Sequence, residues 1–337
     1  MNSVLRIGTR DSQLAVWQAS LVQSLLKEGN INSELVYIKS EGDLNTITPL
    51  YDLGVQGIFT KTLDTALLNK RIDIAVHSMK DVPTKLAAGI RQAAVLERAS
   101  YKDILVYKGN KKLVESALNG KHPAHNEAST LIHHAASESS DGKSPEPTSF
   151  IVATSSVRRR AQWLNRYPLH QIENIRGNVN TRLRKVAESN WSGAIFAAAG
   201  LERINLRPEE SIDLDWMLPA PAQGAIMVVC REDDTPSYEA CLLLNHEHTA
   251  LCTGLEKEFL SVLMGGCSTP VSALAQIHDA GVFFKGNLCS TDGKKSISVN
   301  KWVPQNETTN LGKLMANELL QNPDARHIID TIQHARQ

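Results

Sequence analysis

The stretch IDIAVHSMKD, residues 72–81, decides the fold because it joins an apolar run of strand length to an abrupt polar end. A helical pattern over residues 59–69 precedes it, and residues 33–39 alternate like a strand. An apolar run over residues 4–7 begins the chain. The intervening helix is predicted by four apolar residues at helical spacing, Leu14, Trp17, Leu21 and Leu25. This β–α–β alternation predicts an α/β domain with a mostly parallel sheet.

The same alternation returns later in the chain and then stops. Residues 150–167 predict a strand, a Thr-Ser-Ser helix start and a helix, and residues 192–204 predict a strand followed by a turn. From about His246, one amphipathic helix, three strands and two final helices follow, with a turn at Asp292-Gly293 between the last two strands. The predicted fold is therefore two α/β domains and a small C-terminal α+β domain.

Composition argues against several classes of protein. Lys+Arg and Asp+Glu each number 36, so the chain has no overall basic charge. Aromatic residues make up 5% of the chain and do not interleave with the arginines. Both observations argue against nucleic-acid binding. No apolar run reaches membrane-span length and the N-terminus lacks a signal-peptide pattern, so a cytoplasmic protein without a membrane segment is expected. Five cysteines without a CxxC pair indicate neither a disulfide framework nor structural zinc.

A polar tract over residues 120–149 interrupts the second α/β pattern. It is rich in Ser, His, Pro and Gly, and it contains His122, His125, His133 and His134. The tract either binds a metal ion or forms a solvated surface insertion. We favour the insertion because no clear ligand set completes the histidines, and no metal site is predicted.

Four predicted strands end in polar or tight-turn clusters, at residues 6–12, 75–81, 152–160 and 196–203. Ligands of open α/β sheets bind beyond the carboxyl ends of the strands, so these clusters are expected to meet in one cleft. The hydroxyl groups of the clusters belong to Ser12, Ser78, Thr154, Ser155 and Ser156. The cations are Arg10, Lys80, Arg158, Arg159 and Arg203, and the run 173–185 adds Arg176, Arg182 and Arg184.

This cleft is predicted to bind anions. Arginine forks match carboxylate or phosphate, and the helix start at residues 154–156 adds backbone N–H groups and a favourable dipole. A single arginine of this kind is more often a solvated surface charge, but several at strand ends favour an anion cleft. Asp81 either pairs with Lys80 or stabilises a cationic intermediate there. His77 is the competing acid–base residue, although its position after an apolar run favours a buried, hydrogen-bonded histidine.

Cys267 differs from the other cysteines because it follows a helix stop at Gly265-Gly266 and precedes Ser-Thr-Pro. The two glycines allow a tight turn and leave room beside the sulfur for a bulky group. A cation-lined cleft would favour the thiolate, so Cys267 is a candidate covalent attachment point. The other four cysteines lie in apolar or helical patterns and are expected to be ordinary packing or surface residues.

Seven stretches of the sequence together resemble the porphobilinogen deaminase family, also called hydroxymethylbilane synthase. They occur in the family's order and span nearly the whole chain. They are LRIGTRDSQLAVWQ, DIAVHSMKDVPT, ATSSVRRRAQ, IRGNVNTRL, AAAGLER, PAQGAI and GGCSTPV.

The resemblance implies two α/β domains of the periplasmic-binding-protein type with a cleft between them, and a small α+β domain that carries Cys267. The chain is expected to return to the first domain near residue 224. The expected domains are 1–98 with 224–243, then 99–223 with the polar insertion, then 244–337. The family also suggests a monomer.

The resemblance further implies a transferase of haem biosynthesis. It would join four porphobilinogen molecules head to tail, release ammonia at each step and yield hydroxymethylbilane. One dipyrromethane cofactor per chain would be held by a thioether to Cys267. Asp81 matches the catalytic aspartate, which stabilises the positive charge left on a pyrrole when the amino group departs. The cofactor-binding matches are Ser78, Lys80, Thr154, Ser156, Arg158, Arg159 and Arg182. The substrate-binding candidates are Arg10, Ser12, Phe59, Arg176 and Gln223 from the resemblance, and Arg203 from its strand-end position.

The chain departs from the family's pattern in three places. Gln56 replaces a lysine common in the family, Asp52 occupies a commonly basic position, and many members lack the insertion over 120–149. The electrostatic role of the loop over 41–57 therefore stays open. Two alternatives remain at this point: a non-catalytic two-domain anion-binding protein, which would need neither Asp81 nor Cys267, and a nucleic-acid-binding protein.

Overall fold

The computed structural model describes residues 4–39, 60–119, 150–263, 269–279 and 281–334. Its strands form two five-stranded sheets and one three-stranded sheet. The units built on these sheets are called lobe 1, lobe 2 and the C-terminal unit below. No helix within the described residues is both long and apolar enough to cross a membrane.

Lobe 1 is assembled from two separate parts of the chain. Its strands are β1 (Leu5–Thr9), β2 (Ser33–Tyr37), β3 (Ile74–Ser78), β4 (Ile90–Val95) and β10 (Ile226–Arg231). Its helices are α1 (Gln13–Glu28), α2 (Lys61–Leu68) and α7 (Thr235–Leu242). The strand order is β2-β1-β3-β10-β4, and hydrophobic cores cover both faces of the sheet.

The predicted first helix is confirmed as α1, but its most buried face differs from the expected one. Ser12 caps its N-terminus by accepting a hydrogen bond from the Ala15 amide. The buried ridge consists of small and apolar residues, among them Ala15, Ala19 and Val22. Trp17, Leu21 and Leu25 are only partly buried and pack against the edge of this core. Alanines suit the inner ridge because they let the helix axis approach the sheet closely.

Lobe 2 repeats this plan in the middle of the chain. Its strands are β5 (Asp103–Tyr107), β6 (Ile151–Ala153), β7 (Gln171–Glu173), β8 (Gly193–Ala197) and β9 (Ser211–Asp213). Its helices are α3 (Lys111–Leu118), α4 (Val157–Arg166), α5 (Val179–Glu188) and α6 (Ala198–Glu202). The segment after β8, predicted as a turn, is the short helix α6. The strand order is β7-β6-β8-β5-β9.

Each lobe contains one strand that runs against its neighbours. In lobe 1, β10 pairs antiparallel with both β3 and β4, and in lobe 2, β5 pairs antiparallel with both β8 and β9. The prediction of mostly parallel sheets is confirmed, because in each sheet the other four strands run in the same direction. In each lobe the antiparallel strand directly follows a crossing from the other lobe, so it enters the sheet from the opposite side. Two lobes with this shared strand order form the periplasmic-binding-protein type of architecture.

The two crossings between the lobes touch each other at Gly224. The Ala99 amide donates to the Gly224 carbonyl at 3.2 Å. Gly224 has a φ of +89°, and a Cβ there would lie 2.6 Å from the Ser100 carbonyl oxygen. Only glycine combines this backbone conformation with so close an approach. The crossings are therefore packed backbone against backbone.

The C-terminal unit has the predicted α+β composition. Its strands β11 (Val271–His278), β12 (Gly281–Cys289) and β13 (Ser296–Pro304) form an antiparallel sheet in that order. The helices α8 (Glu247–Val262), α9 (Leu311–Leu320) and α10 (Pro323–His334) complete it. Phe259 of α8 and Phe284 of β12 meet in a core formed by the helices and one sheet face. Gln162 of α4 donates to Ser272 Oγ at 2.9 Å, which ties the sheet to lobe 2.

Candidate active site

Asp81 lies in a short 3₁₀ turn, Met79–Asp81, that follows β3 directly. The buried strand ends beside the crossing that contains Gly224, and the Met79 amide donates to the Ala225 carbonyl there at 3.0 Å. The Val82 amide closes the turn by donating to the Met79 carbonyl at 3.2 Å. The Asp81 side chain is half-buried and lines a small pocket together with Arg10. The predicted strand end therefore presents a carboxylate to a cleft.

Lys80 is linked to lobe 2 through Gln223. The Lys80 ammonium donates to Gln223 Oε1 at 3.3 Å, and the fully buried Gln223 amide donates to Asp103 Oδ1 at 2.9 Å and to the Tyr101 carbonyl at 2.8 Å. Burial lowers the pKa of Lys80 to about 8, with Asp81 and Asp103 favouring its charged form and the nearby arginines opposing it. A lysine with this pKa is a cation whose charge is sensitive to its surroundings.

Asp103 balances the two arginines that begin α4. Its carboxylate is fully buried and accepts hydrogen bonds from Arg158 Nη2 at 2.7 Å and from Arg159 Nε and Nη2 at 3.1 and 2.7 Å. Burial on its own raises the pKa of the Asp103 carboxyl, but the two guanidinium charges outweigh it and hold that pKa well below its ordinary value. Asp103 therefore stays ionised.

Arg158 and Arg159 keep N–H groups beyond those that Asp103 uses. The two residues are only 5% and 6% exposed, and each also donates to one main-chain carbonyl, Leu218 for Arg158 and Ile195 for Arg159. A guanidinium carries five N–H groups, so these contacts orient the forks without exhausting them. The pair is therefore held in fixed directions at the start of a helix.

The helix start at residues 154–156 is built as predicted. Ser156 caps α4 by accepting from the Arg159 amide, and Thr154 Oγ1 accepts from the Ser156 amide at 3.2 Å. Ser155 is turned away, because its hydroxyl bonds to the main chain of Ile175. The N-terminus of α4 thus offers amides and hydroxyls close to the arginines, which suits an anion.

Arg176 and Arg182 complete the cationic side of the cleft. Arg182 lies on α5, whose N-cap is Asn178 as expected, and its Nε donates to the Gly177 carbonyl at 2.8 Å. The pKa of Arg182 is lowered to about 10, chiefly by burial and in part by the charges of Arg159 and Arg176, against the opposing effect of Asp81. The hydrogen bonds from Lys80 to Gln223 and from Gln223 to Asp103 bring the Asp81 turn of lobe 1 next to these arginines of lobe 2.

The lobe 1 side of the pocket holds the remaining strand-end residues. Arg10, Ser78 and His77 line it with Asp81. The Ser78 hydroxyl exchanges hydrogen bonds with the Gln18 amide, at 2.9 and 3.2 Å. Ser12 lies nearby along the chain as the cap of α1. The two serine hydroxyls are therefore engaged by other groups of lobe 1.

His77 is buried as expected, but the expected hydrogen bond is missing at one ring nitrogen. Its side chain is 6% exposed, and Nε2 has no hydrogen-bond partner within the part of the chain that the structure describes. Burial lowers the pKa of His77 to about 3, and the charges of Arg10 and Lys257 act in the same direction. The ring is therefore neutral near pH 7 and is a poor general acid.

Arg203 sits at the junction of the lobes. Its Nη2 donates to the Gly224 carbonyl at 2.7 Å, and its guanidinium carbon lies 5.7 Å from the centre of the Trp17 ring. Burial lowers the pKa of Arg203 to about 10. These contacts give the side chain a clear structural role in joining α1, the crossing and α6.

Several predicted positions lie outside the described residues. They are Cys267, Phe59, Gln56, Asp52 and the insertion over 120–149. The other four cysteines are all buried and unpaired. Burial raises the pKa of each of these thiols, to about 12 for Cys241 and about 11 for Cys252. No cluster of three or more potential metal ligands occurs among the residues that are described.

Sequence reasoning missed three charged residues around the site: Asp103, Glu256 and Lys257. Asp103 opens the apolar run of β5, a position where a buried carboxylate is unusual. That mismatch is the only local signal. Glu256 and Lys257 lie on α8, and their partners are far away in sequence.

Comparisons with known proteins give matches over most of the chain. Residues 5–239 match the family described as "Porphobilinogen deaminase, dipyromethane cofactor binding domain", and residues 250–321 match "Porphobilinogen deaminase, C-terminal domain". The chain is 38% identical over 313 residues to the chloroplastic porphobilinogen deaminase of Oryza sativa subsp. japonica, covering 90% of this chain and 78% of that one. It is 35% identical over 331 residues to the porphobilinogen deaminase of Syntrophomonas wolfei subsp. wolfei, covering 97% and 98%. Among solved structures, the methionine binding protein MetQ overlaps with a TM-score of 0.40 at 12% identity, over 71% of this chain and 88% of that one.

Proposed function

The chain belongs to the porphobilinogen deaminase family, and from that premise we propose that it joins four porphobilinogen molecules head to tail into hydroxymethylbilane. It is a transferase of tetrapyrrole (haem) biosynthesis. The observation that carries the proposal is the hydrogen-bond chain that brings the Asp81 turn to the arginines of lobe 2. It runs from Lys80, the neighbour of Asp81, through Gln223 to Asp103, which holds Arg158 and Arg159. A single carboxylate opposite fixed cations is the arrangement this reaction needs.

The cations of lobe 2 bind the acetate and propionate groups of the pyrroles. Each porphobilinogen carries two carboxylates, so a growing chain of pyrroles brings many negative charges into one cleft. The Arg158 and Arg159 forks are held by Asp103 and by main-chain carbonyls, with N–H groups to spare. Fixed forks bind carboxylates in defined orientations. Arg10, Arg176 and Arg203 add further cations and Ser12 adds a hydroxyl, and we assign all four to substrate binding.

The family's dipyrromethane cofactor fits the residues on the cleft. Its carboxylates suit the donor set of Ser78, Lys80, Thr154, Ser156, Arg158, Arg159 and Arg182. When bound, it supplies the pyrrole carbon to which the first substrate is joined. Cys267 is the attachment point, because the other four cysteines are buried with raised thiol pKa values and a thiolate is the reactive form.

Asp81 is the catalytic residue. Loss of ammonia from the aminomethyl group breaks a C–N bond and leaves positive charge on the substrate pyrrole. A carboxylate in a partly dry cleft stabilises that charge, and one well-placed group of this kind contributes about 3 kcal/mol or more to the transition state. His77 does not compete for this role, because its ring is neutral. Asp81 therefore acts as a charge stabiliser and proton acceptor.

The remaining expectations form part of the proposal. The domains are 1–98 with 224–243, then 99–223, then 244–337. The double crossing of the chain between the sheets supports the first of these boundaries. The insertion over 120–149 is a surface excursion, Phe59 and Gln223 border the substrate, and the protein works as a cytoplasmic monomer.

Intact-mass measurement tests the proposal directly. The wild type is expected to carry the mass of one dipyrromethane, and Cys267→Ser is expected to lack it while remaining folded. Wild-type protein should release ammonia from porphobilinogen and give hydroxymethylbilane. A folded wild type with an unmodified mass and no turnover would instead support the non-catalytic anion-binding alternative. Steep salt-dependent binding to generic DNA would favour the nucleic-acid alternative.

A further inference from the structure

Helix α8 places two adjacent charged residues against two different parts of the active-site region. The first, Glu256, is fully buried. Its carboxylate accepts hydrogen bonds from Arg98 at 2.6 and 3.1 Å, from the Ala222 amide at 2.6 Å and from the Ala275 amide at 2.8 Å. Arg98 and Ala222 lie on the two crossings between the lobes, so Glu256 connects α8 to both crossings.

The second residue, Lys257, reaches the turn that carries Asp81. Its Nζ donates to the Val82 carbonyl at 2.5 Å and to the Met79 carbonyl at 3.3 Å. These carbonyls flank Asp81 on both sides. Hydrogen bonds from a charged donor are about twice as strong as neutral ones, so this ammonium holds the turn from the C-terminal unit.

The Met79 carbonyl already accepts from the Val82 amide within the turn. Lys257 Nζ is a second donor to the Met79 carbonyl oxygen, and it also donates to the Val82 carbonyl oxygen. The turn is only three residues long, and its own hydrogen bonding is correspondingly slight. Its conformation therefore depends on a contact from another unit of the fold.

Helix α8 also leads to the proposed cofactor attachment point. It ends at Val262, and Cys267 follows shortly afterwards in the sequence. The same helix contacts both crossings through Glu256 and the Asp81 turn through Lys257. In the sequence it directly precedes the segment that contains Cys267.

We propose that Lys257 is a positioning residue, which holds the Asp81 turn against α8 through the Met79 and Val82 carbonyls. The inference rests on the proposed function for its catalytic consequence. It predicts that removing the ammonium slows the chemical step, because misplacement of a reacting group by about 1 Å costs on the order of 100-fold in rate. Substrate affinity, set by the arginines of lobe 2, is expected to stay nearly the same.

The test compares Lys257→Met with Lys257→Arg in the full-length, cofactor-loaded protein. Lys257→Met keeps the apolar stem but donates no hydrogen bond, and Lys257→Arg keeps a charged donor. We expect kcat of Lys257→Met to fall by about 10- to 100-fold with KM within about twofold of wild type, and Lys257→Arg to recover most of kcat. Lys313→Met on α9, which removes an exposed lysine, is the matched control and should leave both constants unchanged.

Hydrogen exchange supplies a readout that does not depend on activity. In Lys257→Met the amides of Met79 and Val82 are expected to exchange faster than in wild type, while the amides of α8 keep their protection. Intact mass shows whether the cofactor is retained. If Lys257→Met does not fold, Lys257→Gln, which keeps a shorter neutral donor, takes its place with the same expectations for kcat and exchange.

The outcomes separate this inference from the proposed function. A wild type without adduct or turnover defeats the proposed function, whatever the variants do. An active wild type beside a Lys257→Met variant with unchanged kcat, or with unchanged exchange at residues 79–82, overturns the positioning role. Loss of the adduct or of the melting transition in both the Met and Gln variants would also overturn it, by assigning Lys257 to folding alone.

Discussion

Asp103 accepts two hydrogen bonds from Arg159 through one oxygen atom: Oδ1 lies 3.1 Å from Nε and 2.7 Å from Nη2. The other oxygen, Oδ2, accepts from Arg158 Nη2 at 2.7 Å. One buried carboxylate thereby orients two neighbouring guanidinium groups at the edge of the cleft. Without it, two arginines that are each less than a tenth exposed would face each other with no anion of the protein between them.

Asp103→Asn is expected to destabilise the fold strongly. The variant keeps the shape of the side chain but removes the charge that balances both arginines. Breaking a buried ion pair from one side typically costs about 3–5 kcal/mol of unfolding free energy. Urea denaturation measures this loss. Asp213→Asn, which removes a partner of Lys102 and Arg207 at the surface, is the control and should cost about 1 kcal/mol or less. Equal losses in the two variants would contradict the role given to Asp103.

The pH dependence of Asp103 has a definite sign. The carboxyl pKa is lower in the folded protein than in the unfolded chain. Its stabilising effect is therefore fully present above the unfolded pKa of about 4 and is lost as the pH falls through the folded value. The destabilisation caused by Asp103→Asn should shrink as unfolding is measured at progressively more acidic pH. If the loss of unfolding free energy in Asp103→Asn stayed constant down to strongly acidic pH, lost packing and not lost charge would be its cause.

Lys80 is expected to set the alkaline limit of substrate capture. Its pKa is about 8 in the folded protein, so the ammonium becomes neutral as the pH rises through that value. A neutral amine no longer attracts the substrate's carboxylates, and kcat/KM, which reports on the free enzyme, should decline above about pH 8. Lys80→Arg should remove this decline, because arginine stays charged. Lys102→Arg, beside the site, should retain it. An identical alkaline decline in Lys80→Arg would assign the limit to another group.

Gly224→Ala is expected to disturb the contact between the two crossings. The residue has a positive φ, and an added Cβ would meet the carbonyl oxygens of Ala99 and Ser100 at 2.7 and 2.6 Å. Gly109 offers a matched control, because its φ is +87° and a Cβ there would have nothing within 4 Å. Gly109→Ala should cost only the backbone strain of about 1–2 kcal/mol. Gly224→Ala should cost clearly more in thermal or urea unfolding, and equal costs would mean that the crossings separate easily.

Much of this architecture could be predicted because its signals are local. The strand 74–78 with its polar end, the serine cap of α4 and the Asn178 cap of α5 all follow from residues adjacent in sequence. The strand ends with their arginines could be placed in one cleft, since parallel strands of a sheet end at the same edge.

The parts that escaped prediction depend on distant partners. The pairing of β10 between β3 and β4 joins residues that are about half the chain apart, and nothing local in an apolar run states its direction. In the sequence, Asp103 and Lys257 look like ordinary charged residues. Their roles depend on partners that lie 56 residues away for Asp103 and 175 residues away for Lys257. Long-range pairing, and not local propensity, decides these features.

Gln56→Lys is expected to change substrate affinity more than stability. The position lies outside the described residues, and the prediction rests on the lysine that is common in the family at this place. A restored cation should lower KM, because it adds attraction for the substrate's carboxylates. Steady-state kinetics and a melting curve compare the two effects. Unchanged kinetics would show that residue 56 does not contribute to substrate binding.

Asp81→Asn is expected to remove most turnover while the fold remains. The side chain is half-buried at the end of a turn whose hydrogen bonds are made by the main chain, so the amide should be accommodated with little loss of stability. An amide carries no negative charge to stabilise the cationic pyrrole, and a loss of about 100- to 10,000-fold in kcat is expected.

Asp11→Asn, at an exposed carboxylate beside Arg10, is the control and should retain turnover. Intact mass should first establish that Asp81→Asn carries the cofactor, so that a loss of rate reports on the carboxylate. A variant with the cofactor, a native melting curve and the wild-type rate would show that the charge on the pyrrole is stabilised elsewhere.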